Sequence, residues 1–254
     1  MFVGDSLTWE HYRTLVEILG GQTATLLQFR TKHRQMTIVQ SVCDHQRTFL
    51  MYRREDSLQD LDLYLKEKFP VVLVLNRGAH YTPDNIFASE LYTTFQQVSS
   101  WQHKCNEYGV QCHLFWRTSV PGHPACRSFT APVNNLTLME YLVATGESPA
   151  KYRWETFKTQ NELALQLLKD SPVTVYDVID AYPINILRPD QHARPNSDCL
   201  HSCRPGKLDV YNQLLQHFLV QKRSRADVQA LENFAFPWNR TTNVQADGHD
   251  IIYG

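Results

Sequence analysis

Between residues 198 and 209 the chain reads Asp198-Cys199-Leu200-His201-Ser202-Cys203-Arg204-Pro205-Gly206-Lys207-Leu208-Asp209. A carboxylate stands three residues before an imidazole, the imidazole lies between two cysteines, and a Pro-Gly turn closes the expected loop ahead of a helix. An imidazole can take a proton from a nucleophile on one ring nitrogen when an acceptor orients the other, and a carboxylate one turn away supplies that acceptor. The remaining chain must then provide a nucleophile and donors for the negative charge that develops on the substrate.

Ser6, in Gly4-Asp5-Ser6-Leu7, falls in a strand-to-helix turn, where its own N–H faces the crevice and the helix dipole favours developing negative charge. Taken alone the tripeptide favours an ordinary helix cap, since Gly-Asp-Ser is common in turns. Asn76 and Gly78 end a buried strand, so a side-chain amide and an unhindered backbone N–H could both donate to an oxyanion; an Asx turn is the plainer alternative. Arg117 could clamp substrate or support the oxyanion, or simply pair at the surface. His80 and His123 are rival bases without an adjacent carboxylate, so His201 leads. For Asp198 and His201 the plainer alternative is a surface loop tied down by its cysteines. A zinc site from His123, Cys126, Cys199 and Cys203 is weaker, because Cys-x3-Cys lacks a second close pair.

These residues need elements to hold them. Residues 2–4 read as a strand end, followed by a helix with Trp9, Tyr12, Leu15, Val16 and Leu19 on one face, stopped by Gly20-Gly21. Residues 37–42 and 48–52 are β-branched and aromatic strand candidates. A capping box at Ser57 and Asp60 predicts a helix to Lys68, and the apolar run 71–75 predicts a parallel strand covered on both faces. Thr82 as N-cap with Pro83 opens a helix ending at Gly109, with Phe87, Leu91, Phe95, Val98 and Trp101 inward. Residues 111–116 form a further strand, 124–156 give no clear order, Thr159 and Glu162 cap a helix to Lys169, and 173–178 form the last core strand. Leu208, Tyr211, Leu215, Phe218 and Leu219 mark a final amphipathic helix, and 232–254 read as a loop-rich tail. Strands alternating with helices predict one α/β domain over residues 1–254, a mostly parallel sheet covered on both faces. In such sheets ligands sit beyond the carboxyl ends of the strands, where Ser6, Asn76, Arg117 and the loop 182–206 all fall.

Composition narrows the function classes. Lys and Arg number 25 against 26 Asp and Glu, with no basic block, which argues against a nucleic-acid partner. No apolar run approaches the ~20 residues of a membrane span, and the amino terminus lacks the regions of a signal peptide. Six cysteines and the acceptor triplets Asn135-Leu136-Thr137 and Asn239-Arg240-Thr241 lean towards an oxidising compartment.

Gly4-Asp5-Ser6-Leu7, the run from Asn76 to Tyr81, Trp116-Arg117-Thr118 to His123, and the run from Asp198 to Gly206 resemble, in order, the blocks of the trichome-birefringence-like and PC-esterase proteins. Those are SGNH-type glycan O-acetyltransferases of the secretory pathway, related to the sialate O-acetyltransferase and Cas1 capsule proteins. The resemblance implies an SGNH-hydrolase-like three-layer α/β/α fold. It implies Ser6 as nucleophile, His201 as general base and Asp198 as its orienting acid. Asn76, Gly78 and His80 match the oxyanion and substrate block, and Arg117 matches an arginine near the substrate. It further implies a Cys126–Cys199 disulfide, no metal or bound cofactor, an acetyl donor such as acetyl-CoA as co-substrate, a polysaccharide or glycan acceptor, and the Golgi lumen. Family members carry an amino-terminal anchor and a cysteine-bearing segment before Gly-Asp-Ser, so a truncated chain is expected, with the partner of Cys203 in the missing piece. Ser202 and Tyr211 stand where the plant proteins carry Trp, which implies a non-plant or divergent member.

Overall fold

A computed structural model describes residues 1–19, 27–30, 36–42 and 48–222. In chain order the elements are β1 (Phe2–Gly4), α1 (Ser6–Ile18), β2 (Leu27–Arg30), β3 (Met36–Val42), β4 (Thr48–Arg54), α2 (Leu61–Lys68), β5 (Val72–Leu75), α3 (Asp84–Glu107), β6 (His113–Arg117), α4 (Leu136–Thr145), α5 (Phe157–Lys169), β7 (Tyr176–Ile179), α6 (Tyr182–Ile186), β8 (His192–Arg194), β9 (Asp198–Ser202) and α7 (Lys207–Lys222). The main sheet runs β2-β3-β4-β1-β5-β6-β7. Strands β4, β1, β5, β6 and β7 are parallel, and β2 and β3 add an antiparallel edge. The predicted mostly parallel α/β sheet is therefore present.

The pleat divides the central strands between two cores. Val3, Leu73, Leu75, Leu114 and Trp116 pack with Leu61 and Leu65 of α2, Phe87, Leu91, Phe95, Val98 and Trp101 of α3, and Ala164 and Leu168 of α5. Phe2, Val74, Phe115 and Ile179 turn the other way, against Leu7, Tyr12 and Val16 of α1, Met139 and Val143 of α4, and Leu208, Tyr211 and Leu215 of α7. That is why β5 reads as an unbroken apolar run: Leu73, Val74 and Leu75 are fully buried, divided between the two faces.

Several expected boundaries move. Ser57 does not cap α2; its hydroxyl donates to Glu55 Oε1, and the helix begins only at Leu61. Helix α3 starts after Pro83 with no side-chain cap, so Thr82 is not its N-cap. Thr159 lies inside α5, where its hydroxyl donates to Thr156 O. The stretch 198–202, expected as a loop, is a strand of a two-stranded hairpin with β8. Residues 124–156 contain α4, whose N-cap is Asn135, accepting from the Leu138 N–H. Gly20-Gly21 and the tail 232–254 lie outside the described residues. Among the described residues no helix is long and apolar enough to cross a membrane.

Candidate active site

Helix α1 begins directly at the carboxyl end of β1, and the turn between them is tightly built. Gly4 has φ +155°, and a Cβ there would overlap Thr8 Oγ1 and come within 2.7 Å of the Asn76 carbonyl, so only glycine fits. Tyr52, fully buried, donates its hydroxyl to the carbonyls of Gly4 and Asp5 at 3.2 and 3.0 Å. Asp5, not Ser6, is the N-cap: its Oδ1 accepts from the Leu7 and Thr8 amides at 2.8 and 3.3 Å. The plain-cap alternative for Ser6 is thereby replaced, and its hydroxyl is left for other chemistry.

Ser6 Oγ lies 2.8 Å from His201 Nε2. On the far side of the ring, His201 Nδ1 lies 2.8 Å from Asp198 Oδ2, and Asp198 Oδ1 accepts from the backbone amides of Leu200 and His201, both at 3.1 Å. Burial alone would raise the Asp198 carboxyl, but the two amides and the imidazole outweigh it and hold the group down at about 2. An ionised Asp198 fixes the tautomer with hydrogen on Nδ1, which leaves the Nε2 lone pair for the Ser6 hydroxyl. Residues separated by 195 positions in sequence thus form a hydroxyl–imidazole–carboxylate line.

Strand β9 is held in place from three sides. Cys199 is disulfide-bonded to Cys126, across a separation of 73 residues, and the His123 amide donates to the Cys199 carbonyl at 2.9 Å. His192 Nδ1 lies 3.2 Å from the His201 carbonyl, and its Nε2 lies 2.7 Å from His123 Nδ1. Burial, with the nearby Lys207 ammonium, pushes His192 down to about 4, and burial holds His123 well below its ordinary value. Helix α1 provides the third tie, because both carboxylate oxygens of Glu10 lie 3.2 Å from the Ser202 amide.

The other expected site residues take different places. Asn76 is fully buried; its Nδ2 donates to the Arg117 carbonyl at 2.9 Å and Ser119 Oγ at 3.1 Å, and its Oδ1 accepts from Arg117 Nη2 at 2.7 Å. Both amide hydrogens are committed to the protein, so the side-chain donor expected for an oxyanion is instead a clasp between β5 and β6. Gly78 has φ +133°, and a Cβ there would lie 2.5 Å from Ser119 Oγ. Arg117 is also fully buried and reaches Thr8 Oγ1 at 3.2 Å, so it lies beneath the site and is not a substrate clamp. Burial lowers its pKa, opposed chiefly by the negative charge of Asp5 and also by that of Glu10. His80 Nε2 sits 3.5 Å from Asp56 Oδ2 with its ring against Tyr152, while His123 is buried on His192; neither rival base reaches Ser6. The bond between Cys126 and Cys199 removes both sulfurs from the alternative zinc set. A second disulfide, Cys105–Cys112, joins the end of α3 to the start of β6, Cys203 is a free thiol, and Cys43 lies outside the described residues.

A cleft of about 840 Å³ opens beside Ser6, Asp198 and His201, lined by the last two and by Glu147, Ser148, Lys151, Tyr152, Arg194 and Asn196. Gly122 lies directly behind two lining residues, because a Cβ there would overlap the Trp154 ring and approach the Cys199 carbonyl. Sequence reasoning had no access to Glu10, His192 or Tyr52. The one available signal was the i, i+4 spacing of Ser6 and Glu10, which sets both on one face of α1.

Compared with known families, residues 71–218, more than half of the chain's 254, match PC-Esterase, the GDSL/SGNH-like acyl-esterase family found in Pmr5 and Cas1p. The matched span contains Asp198 and His201 and begins after Ser6. No curated protein matches the chain.

Proposed function

The chain belongs to the PC-esterase family, the GDSL/SGNH-like acyl-esterases, and on that premise we propose that it is a glycan O-acetyltransferase working through a Ser6 acyl-enzyme. The observation that carries the reading is the pair of 2.8 Å contacts joining Ser6, His201 and Asp198 at the edge of a wide cleft of mixed polar and apolar lining. Ser6 Oγ attacks the acetyl carbonyl carbon as His201 Nε2 takes the hydroxyl proton, and Asp198 stabilises the resulting imidazolium. That proton passes to the leaving group of the donor, acetyl-CoA or another activated acetyl ester. A sugar hydroxyl then gives its proton to His201, attacks the acyl carbon and releases Ser6, which recovers the proton. The Ser6 amide, at the first turn of α1 and not taken by the Asp5 cap, is one donor to the oxyanion, and the Gly78 amide is the second.

The cleft supports a saccharide acceptor. Tyr152 offers a half-buried ring for a sugar face, and Glu147, Ser148 and Asn196 offer acceptors and donors for hydroxyls. We place the protein in the Golgi lumen as a trichome-birefringence-like relative. The two disulfides suit an oxidising compartment, and the exposed Asn135, whose Oδ1 caps α4, keeps its Nδ2 for a glycan.

A carbohydrate acetyl esterase is the second reading, favoured by the openness of the cleft to water at His201. The deciding assay supplies acetyl-CoA with and without candidate polysaccharides and follows free acetate and acetylated glycan. Transfer requires acceptor-dependent acetylation that Ser6→Ala abolishes; acetate release indifferent to every acceptor assigns the esterase. A folded chain whose Ser6 resists a fluorophosphonate would instead be an inactive glycan-binding member.

A further inference from the structure

Ser6 and Glu10 stand one turn apart on the same face of α1, and consecutive residues of β9 answer them. Ser6 Oγ meets His201 Nε2 at 2.8 Å, and the Glu10 carboxylate meets the Ser202 backbone amide at 3.2 Å through each oxygen. Asp198 orients the imbedded ring within β9, but it belongs to the same strand and cannot set the distance from that strand to α1. The tie that spans the two elements beside the reacting atoms is Glu10.

We propose that Glu10 is a positioning residue of the active site: its carboxylate clamps the base-bearing strand onto the nucleophile helix, and its negative charge favours the imidazolium that His201 becomes. The proposal rests on Ser6 and His201 being nucleophile and base. A carboxylate accepting a buried amide is a charge-assisted bond, stronger than a neutral one, and its geometry costs no reorganisation during the reaction.

The groups facing Glu10 fit this role. Its surroundings include His201 and Asp198 on β9, Lys207 and Tyr211 on α7, and Arg117 at the end of β6. Burial raises the carboxyl to about 6; His201, the Ser202 amide and Lys207 pull it down, and Asp198 pushes it up. Lys207 is 2% exposed, and burial lowers it to about 8, opposed by Glu10 and the neighbouring Cys203 and Asp190. Above pH 6 the Glu10 charge is therefore present where His201 must accept a proton.

Glu10→Gln keeps an acceptor for the Ser202 amide and removes the charge, whereas Glu10→Ala removes both. Two measurements on the full chain separate the contributions: hydrogen exchange of the Ser202 amide, and the rate of Ser6 labelling by a fluorophosphonate across pH 5 to 9. In Glu10→Ala the Ser202 amide should lose protection and labelling should slow by roughly tenfold or more. In Glu10→Gln the protection should persist, with labelling slower than wild type and its acid limb displaced to lower pH. Unchanged Ser202 exchange in Glu10→Ala overturns the clamp, and a Glu10→Gln profile superimposable on wild type overturns the role of the charge. Should wild-type Ser6 itself fail to label, the nucleophile reading falls and the charge role falls with it, while Ser202 exchange still decides the clamp.

Discussion

Replacing Cys126 and Cys199 together by serine removes the bond that fastens β9 to the turn at 126–128, and the cost can be worked from the loop it closes. That bond spans 73 residues in sequence, against 7 for Cys105–Cys112. If a cross-link acts mainly by restricting the unfolded chain, loop-closure entropy makes the long one worth roughly 4 kcal/mol and the short one roughly 2.5 kcal/mol. For a chain of this size each kcal/mol moves the melting temperature by about 2–4 °C. Cys126→Ser with Cys199→Ser should therefore lower Tm by roughly 8–16 °C, and the Cys105→Ser, Cys112→Ser pair by roughly 5–10 °C. Urea unfolding of both double variants beside wild type, under non-reducing conditions, gives the free energies directly. The long-loop pair should also slow labelling of Ser6, because β9 carries His201, while the short-loop pair, at the junction of α3 and β6, should leave labelling unchanged. A reversed stability ranking would refute the loop argument. Normal labelling in the long-loop variant would show that the remaining ties suffice to hold β9.

Gly122→Ala places a methyl group into the Trp154 ring and near the Cys199 carbonyl, so it should destabilise by roughly 1–3 kcal/mol and raise KM for any cleft-bound acceptor; thermal melting with acceptor titration checks both effects. Two buried groups make opposite contributions to acid stability. His192, lowered from 6.5 to about 4, resists a proton that the unfolded chain accepts, so its contribution is present above pH 6.5 and lost as pH falls towards 4. Glu10, raised from 4.5 to about 6, contributes fully below pH 4.5 and loses that contribution as pH rises through 6. Urea midpoints measured across pH 4 to 7 should thus fall less steeply on the acid side in His192→Gln, and Glu10→Gln should be relatively more stable above pH 6 than below 4.5.

What the sequence made legible follows from which interactions are local. The runs at 2–4, 71–75 and 111–116 announce strands, the second of them a parallel one, because most of β1, β5 and β6 is buried, and the strand-end rule then brings Ser6 and Arg117 into one region. The contact between Asp198 and His201 is local too: they stand three positions apart, and the carboxylate meets the ring within its own strand. Capping boxes at Ser57 and Thr159 failed because neither residue stands at a helix start: α2 begins at Leu61, after Asp60, and α5 has already begun at Phe157. The hairpin of β8 and β9 was missed because His192–Arg194 is short and carries no apolar alternation. Asn76 was legible as a strand-end amide, but its commitment to Arg117 and Ser119 depends on residues about 40 positions away. Glu10 shares a helix face with Ser6, but its contact could not be read, since its partner is a backbone amide 192 residues distant and no residue type advertises a backbone amide.

In the proposed mechanism Ser6 carries the acyl group. Rapid quenching of the chain during turnover of an activated acetyl ester, followed by peptide mapping, tests it most directly. An acetyl group should appear on the Ser6 hydroxyl, build up when no acceptor is present, discharge when acceptor is added, and fail to form in Ser6→Ala or His201→Ala. Turnover that persists in folded Ser6→Ala, with no acetyl on the peptide containing residue 6 of the wild type, would contradict it.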